Sequence, residues 1–336
     1  MSSLEIGLPA IILLVVLALL FDFMNGFHDA ANSIATVVST RVLKPHQAVI
    51  WASLFNVVAI FIFQLKVATT IGKGTIDPTI VDHHVIFGAL VGAIIWNVIT
   101  WYYGIPSSSS HALIGGLVGA AVAKGGFASL IWAGLGKTIL FIVVAPFLGF
   151  MLGGLLMVAV AWLCIRVPAG KADATFRRLQ LLSAAMYSLG HGGNDAQKTI
   201  GIIWMLLLAA NVADPASTRP DTWVIVACYL SMGLGTMLGG WRIVKTMGNR
   251  ITKLDQPRGF CANFGGALTL FMATGFGIPV STTHTITGAI AGVGTTAGAK
   301  QVRWGVARGI FWAWILTIPA SALIAAIAWG ISYLVL

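Results

Sequence analysis

The chain of 336 residues is 58% hydrophobic and only 9% charged, whereas about a quarter of the residues of a typical soluble domain are charged. This composition excludes an ordinary soluble domain, and apolar runs without polar alternation argue against a membrane β-barrel. The net charge of +10 comes from lysines and arginines in loops, so we expect no nucleic-acid partner. We predict an all-α integral membrane protein.

The first half of the chain consists of apolar stretches with two polar interruptions. Residues 8–40 form an apolar stretch that is longer than a bilayer is thick, so we expect it to be tilted, broken or split at Asp29. Apolar spans follow at 48–65 and 85–103, with a predicted loop at 66–84 between them. A second interruption at 104–111 precedes apolar segments that run to residue 123 and from 127 to 165.

The second half repeats this order. After a basic loop at 166–178, apolar residues continue to 210 and include a second acid, Asp195. A loop at 211–222, a span at 223–241 and a basic loop at 242–258 follow, and the last apolar segments are interrupted at 277–284. We expect two units, 1–165 and 179–336, joined by a short basic linker at 166–178.

Two motifs occur in both halves in the same order. GFHDAAN at 26–32 returns 166 residues later as GGNDAQK at 192–198, and GIPSSSSH at 104–111 returns 173 residues later as GIPVSTTH at 277–284. Two matches in one order indicate an internal duplication.

Loop charges predict how the two copies are oriented. Basic loops favour the cytoplasmic side, which places 166–178 and 242–258 inside the cell, whereas 66–84, the counterpart of 242–258, is charge-balanced. Equivalent loops therefore face opposite sides of the plasma membrane, with both termini outside. We expect an inverted-repeat bundle of about 10–12 membrane segments with broken helices and two re-entrant hairpins, which is typical of secondary transporters.

The repeated GIP segments suit an anion. Gly and Pro end one helix, and Ser or Thr favours the cap of the next, so free N–H groups and hydroxyls would point inward from the new helix end. Polar kinks that merely pack against neighbouring helices are the alternative. The predicted substrate ligands are Ser107, Ser108, Ser109, Ser110, Ser281, Thr282, Thr283 and Gln197.

Two acids inside apolar stretches are costly and repel an anion, so we expect a cation between carboxylate and substrate. Sodium, like other hard cations, prefers oxygen ligands. The alternatives are proton carriage by the carboxylates and structural pairing with Lys198 or His191. For the four histidines in the motifs, three roles are open: packing, proton relay or substrate contact. The predicted cation ligands are Asp29, Asp195, Asn25, Asn32, Asn194 and Asp22, the last of which has Ser188 as its counterpart.

Together these motifs resemble those of the inorganic phosphate transporter (Pit) family, whose members are sodium- or proton-coupled phosphate symporters. The resemblance covers nearly the whole chain and implies phosphate bound between re-entrant hairpins at 107–110 and 281–283, with cations near Asp29 and Asp195. The chain departs from the repeated pattern at Lys198, which stands where the first copy has Asn32. Its first motif is similar to that of bacterial members, some of which resemble proton-coupled carriers of metal–phosphate complexes.

We therefore expect a secondary active transporter rather than an enzyme, performing sodium-coupled phosphate symport by alternating access. Proton-coupled transport of phosphate or metal–phosphate, and transport of sulfate or another oxyanion, are the alternatives. Paired acids argue against an anion channel, and the lack of a Gly-x-Ser-x-Gly elbow argues against an intramembrane serine hydrolase. The expected partners are inorganic phosphate, sodium ions and the lipid bilayer, with a homo-oligomer left open. Three scattered cysteines give no sign of a disulfide or a metal cofactor.

Overall fold

The computed structural model describes residues 7–214 and 216–335, and these residues form twelve α-helices joined by short loops and 3-10 turns. The helices are α1 (Leu8–Ser39), α2 (Pro45–Val58), α3 (Lys66–Gly74), α4 (His83–Tyr103), α5 (Ser109–Gly125), α6 (Trp132–Leu163), α7 (Ala169–Ala209), α8 (Thr222–Leu238), α9 (Trp241–Arg250), α10 (Gln256–Gly275), α11 (Thr282–Thr295) and α12 (Trp304–Val335).

Helices α1–α6 and α7–α12 follow the same plan. Each set has a long helix with the acidic motif, a sharply bent pair, a helical hairpin and a long final helix with an internal proline. The bend is 79° between α2 and α3 and 72° between α8 and α9. The prolines, Pro146 and Pro319, are themselves 173 positions apart. The structure thus confirms an all-α bundle with a duplicated arrangement and broken helices.

Helices α1, α4, α6 and α12 are each long and apolar enough to cross a membrane, and the two bent pairs raise the total to six among the described residues. The remaining helices of the predicted 10–12 membrane segments are shorter or more polar. The most apolar windows of α6 and α12 are only 17% and 22% buried inside the protein. These two helices therefore present apolar side chains outward, as lipid-facing helices do.

Of the three arrangements expected for residues 8–40, the structure excludes a break or a split at Asp29, because helix α1 is continuous from Leu8 to Ser39. Two other local predictions are wrong. The region from Ala169 to Arg178, predicted as part of a linker, is the beginning of α7. The predicted loops at 66–84 and 242–258 contain the amphipathic helices α3 and α9.

The two repeats are packed into each other. The α4–α5 hairpin packs against α12, and the α10–α11 hairpin packs against α6. Likewise, α1 crosses α8 and α7 crosses α2. A Cβ atom at Gly26 would overlap the carbonyl oxygen of Met232, and one at Gly192 would overlap that of Asn56. The first glycine of each acidic motif therefore brings the acid-bearing helix against the opposite repeat.

Candidate functional site

Each GIP motif forms the tip of a helical hairpin. Helix α4 ends at Gly104 and the turn after α10 contains Gly277; these glycines have φ of +66° and +70°, a conformation that glycine adopts at little cost. The next helix is capped by a serine hydroxyl: Ser108 accepts from the N–H of His111, and Ser281 from that of His284, both at 3.2 Å. Each hairpin tip therefore presents a helix N-terminus, which carries partial positive charge.

The two hairpin tips meet in the interior. The rings of His111 and His284 lie edge to face, with centroids 4.5 Å apart. The Asn32 amide on α1 donates to the hydroxyls of Thr282 and Thr283 on the second tip, at 3.2 and 2.9 Å. Residues from both repeats therefore share one polar cluster.

The first acid, Asp29, lies against the first tip. The Ser109 hydroxyl is 2.9 Å from Asp29 Oδ2 and 2.6 Å from Asn25 Oδ1, and His28 Nδ1 is 2.7 Å from Asp29 Oδ1. A hydroxyl has one proton and can donate to only one of its two neighbours. A carboxylate, an amide and a hydroxyl oxygen thus converge, and these are ligands that hard cations prefer.

The second acid, Asp195, already has a cationic partner. Lys198 Nζ lies 2.5 Å from Asp195 Oδ1, and it also contacts the Ser110 hydroxyl and the Val280 carbonyl, the latter at 2.7 Å. On the other carboxylate oxygen, Thr282 donates at 3.1 Å and His191 Nε2 lies 3.3 Å away. The structure therefore shows the pairing of Asp195 with Lys198 that the sequence offered as an alternative to a cation site.

The two acids are close enough to act together. Ligand atoms of Asp29, His191 and Asp195 all lie within 4.8 Å of one another, and all three side chains are buried. Asp29, His191 and Asp195 thus offer ligand atoms at a spacing that could hold a metal ion. The cluster also retains hydroxyls and helix N-termini that can bind an anion.

Some predicted ligands hold the structure around the cluster. Gln197 accepts from the backbone N–H groups of Val67 and Ala68 and donates to the carbonyl of Gln64, so its amide caps the start of α3. Asn194 donates to the Ile278 carbonyl and accepts from the N–H of Val280. These amides therefore position the bent helix and the second tip.

The remaining predicted ligands are buried beside the cluster. Asp22 accepts a hydrogen bond from Thr199 at 2.8 Å, and its other oxygen has no partner among the described residues. The Ser107 hydroxyl is also unpartnered in the described part of the chain. Both groups keep free acceptor or donor capacity.

Sequence reasoning missed two contributors. Thr199 reaches Asp22, and the Tyr187 hydroxyl holds the Thr282 carbonyl at 2.8 Å. Thr199 could have been found from the repeat, because it aligns with Ser33 at the same offset of 166 residues. Tyr187 lay outside the repeated motifs, and the sequence contained no signal for it.

Comparison with known proteins decides the family. The model of the phosphate transporter family matches residues 25–325. The chain belongs to the phosphate transporter family. A "Probable low-affinity inorganic phosphate transporter" of Rhizobium meliloti is 57% identical over 96% of this chain and 97% of its own length. A protein of the same description from Bacillus subtilis is 47% identical over 97% and 98%, respectively.

The fold is also that of a solved structure. The structure of "The sodium-dependent phosphate transporter" superposes with a TM-score of 0.87 over 98% of this chain and all of that chain, at 24% identity. This agreement supports the arrangement of hairpins and long helices described above. The family and the relatives are transporters, so this membrane protein is a transporter and not an enzyme.

Proposed function

We propose that this member of the phosphate transporter family performs sodium-coupled symport of inorganic phosphate by alternating access. The observation that carries the proposal is the meeting of both hairpin tips with both acids in one buried cluster. Asp195 receives hydrogen bonds from Ser110 on one tip and Thr282 on the other, at 3.4 and 3.1 Å. Asp29 likewise lies near Ser109 and Thr282.

Phosphate binds to the hydroxyls and first-turn N–H groups of α5 and α11. Ser108 and Ser281 use their hydroxyls as caps, so we assign the side-chain contacts to Ser109, Ser110, Thr282 and Thr283, with Ser107 beside them. Several donors in a small volume match the several acceptor oxygens of a tetrahedral anion.

Sodium binds next to Asp29. Asn25 Oδ1, Asp29 Oδ2 and Ser109 Oγ already converge, and Ser109 also lies at the phosphate-binding tip. A cation there offsets the carboxylate charge that otherwise repels phosphate. Binding of either ion then favours binding of the other, which is the thermodynamic basis of coupling. The sodium-dependent relative with the same fold supports the choice of ion.

Alternating access follows from the duplicated architecture. Each hairpin packs against the last helix of the opposite repeat, and the cluster lies where the two repeats meet. Rocking of one repeat, 1–165, against the other, 179–336, exposes the cluster to one side at a time. From the loop charges we infer that both termini lie outside the plasma membrane and that the basic region 166–178 lies in the cytoplasm.

Proton coupling is the second candidate, and the groups around the acids favour it. His28 contacts Asp29, whereas His191 and Lys198 contact Asp195, so exchangeable protons lie beside both carboxylates. In that case the same carboxylates carry protons with phosphate or with a metal–phosphate complex.

Uptake of radiolabelled phosphate into proteoliposomes tests the proposal. An inward sodium gradient, with the proton gradient removed by an ionophore, is expected to drive accumulation, whereas a proton gradient without sodium is not. Uptake driven only by protons would show that protons, not sodium, are the coupling ions at Asp29. Uptake of sulfate without uptake of phosphate would show that phosphate is not the substrate.

A further inference from the structure

We infer that Lys198 serves as a built-in cation for Asp195 in the second repeat. The transporter therefore binds one coupling ion fewer than it would with an amide side chain at position 198. This inference rests on the proposed cation–phosphate symport and concerns its stoichiometry. It starts from the one polar position at which the two acidic motifs differ in charge: Asn32 in the first and Lys198 in the second.

The surroundings of the ammonium group are those of a bound cation. Lys198 Nζ contacts a carboxylate oxygen of Asp195, the hydroxyl of Ser110 and the backbone carbonyl of Val280. Carboxylate, hydroxyl and carbonyl oxygens are the ligand types that a hard cation takes. The side chain is 1% exposed, so these contacts replace water around the charge.

The first repeat has a similar set of oxygens without a lysine. Asn25, Asp29 and Ser109 supply amide, carboxylate and hydroxyl oxygens, and the amide of Asn32 turns instead to Thr282 and Thr283. A diffusible cation can therefore bind at Asp29. Asp195 already has a tethered cation on Oδ1, while its Oδ2 is contacted by Thr282 and His191, the counterparts of Ser109 and Asn25.

Charge balance leads to the same conclusion. Asp29 and Asp195 contribute two negative charges, Asp22 is a third buried carboxyl beside them, and Lys198 cancels one charge. An asparagine at position 198 would leave one more negative charge to be neutralised by ions from solution. Because uncompensated charge is costly in a membrane interior, removal of the lysine should recruit one additional monovalent cation for each phosphate bound.

The second motif differs at a further position. His191 aligns with Asn25, and its ring lies 3.3 Å from Asp195 Oδ2. An oxygen donor of the first repeat is thus replaced by a nitrogen base in the second. His28 likewise lies beside Asp29, and its counterpart is Asn194, so the repeats differ in formal charge through Lys198.

Equilibrium binding of radioactive sodium to the purified protein, with saturating phosphate, tests the inference. We compare the wild type with Lys198→Asn, which restores the residue of the first repeat, and Lys198→Arg, which keeps the charge. Lys245→Asn, at an exposed lysine of α9, is the control for loss of a positive charge elsewhere. We expect Lys198→Asn to bind one more sodium ion per protein than the wild type and the other two variants to match it.

The outcomes separate this inference from the proposed function. If the wild type binds sodium and Lys198→Asn binds no more, the inference is wrong and sodium coupling stands. If the wild type binds none and Lys198→Asn gains one ion, Lys198 does fill a cation position and the proposed sodium coupling fails. If neither binds sodium, both are overturned. Should Lys198→Asn not yield a monodisperse protein, Lys198→Gln removes the same charge with a longer amide, and the same gain is expected.

Discussion

The two copies of the acidic motif have the same backbone setting and different chemistry. In each copy, a long helix carries the acid, and a glycine three residues earlier packs against the opposite repeat. The contacts of Asp29 come from a histidine and hydroxyls, whereas Asp195 forms an ion pair with Lys198. The two copies thus share their backbone arrangement, while a few substitutions give the two acids different partners.

The largest expected effect comes from removing the paired acid. Asp195→Asn leaves the Lys198 ammonium buried without its counter-charge, and breaking a buried pair in this way costs about 3–5 kcal/mol. We expect loss of phosphate uptake together with a marked fall in melting temperature in detergent. The double variant Asp195→Asn/Lys198→Gln removes both charges and should recover most of the stability. A single variant as stable as the wild type would contradict the ion pair.

Removal of Asp29, the acid without a lysine partner, should abolish transport without this loss of stability. Asp29→Asn keeps an acceptor for Ser109 and removes one of two close carboxylates, which repel each other. We expect cation-dependent phosphate uptake to fall to background while the melting temperature does not decrease. Full sodium-dependent uptake by this variant would show that the cation does not bind at Asp29.

The hairpin hydroxyls should affect the substrate more than the fold. Ser109→Ala combined with Thr282→Ala removes two donors, and a hydrogen bond to a charged group contributes about 1.5–3 kcal/mol. We expect the affinity for phosphate, measured by equilibrium binding, to fall at least about tenfold. Ser231→Ala, a hydroxyl that bonds the Leu19 carbonyl away from the tips, is the control. Unchanged affinity in the double variant would place phosphate elsewhere.

The smallest effect on transport chemistry is expected at the glycines that the two copies share. Gly26→Ala and Gly192→Ala each force a methyl group against a backbone carbonyl of the opposite repeat, and such overpacking typically costs about 1–3 kcal/mol. Both variants should be destabilised to a similar degree, with sodium bound per protein unchanged. Destabilisation by only one of them would show that the helix crossings of the two repeats are not equivalent.

Much of the fold was predictable because apolar periodicity and helix-ending residues act locally. The GIP motifs correctly predicted the hairpin tips, and their repetition predicted two units with the same order of elements. The sequence did not show that α1 and α7 continue through Asp29 and Asp195, since some partners of the two carboxylates, Ser109 and Thr282, lie on distant segments. The helices α3 and α9 were missed because their polar residues resembled loops.

The site was predictable in outline but not in its division of roles. Repetition identified the acids and the hydroxyl clusters, which the structure brings together. It could not show that Gln197 and Asn194 bond to backbone groups, because those partners lie on segments remote in sequence. Nor did it show that Lys198 reaches Ser110 and Val280 as well as Asp195, which only the packing of both hairpins against α7 determines.

A crystal structure with phosphate, in which thallium replaces sodium, tests the central claim most directly, because thallium is located by its anomalous scattering. We expect phosphate between the Ser109 and Thr282 hydroxyls and a thallium peak within contact distance of Asp29 and Asn25, with Lys198 Nζ still at Asp195. Phosphate bound away from the hairpin tips, or thallium displacing Lys198 while Asp29 remains without a cation, would contradict this account.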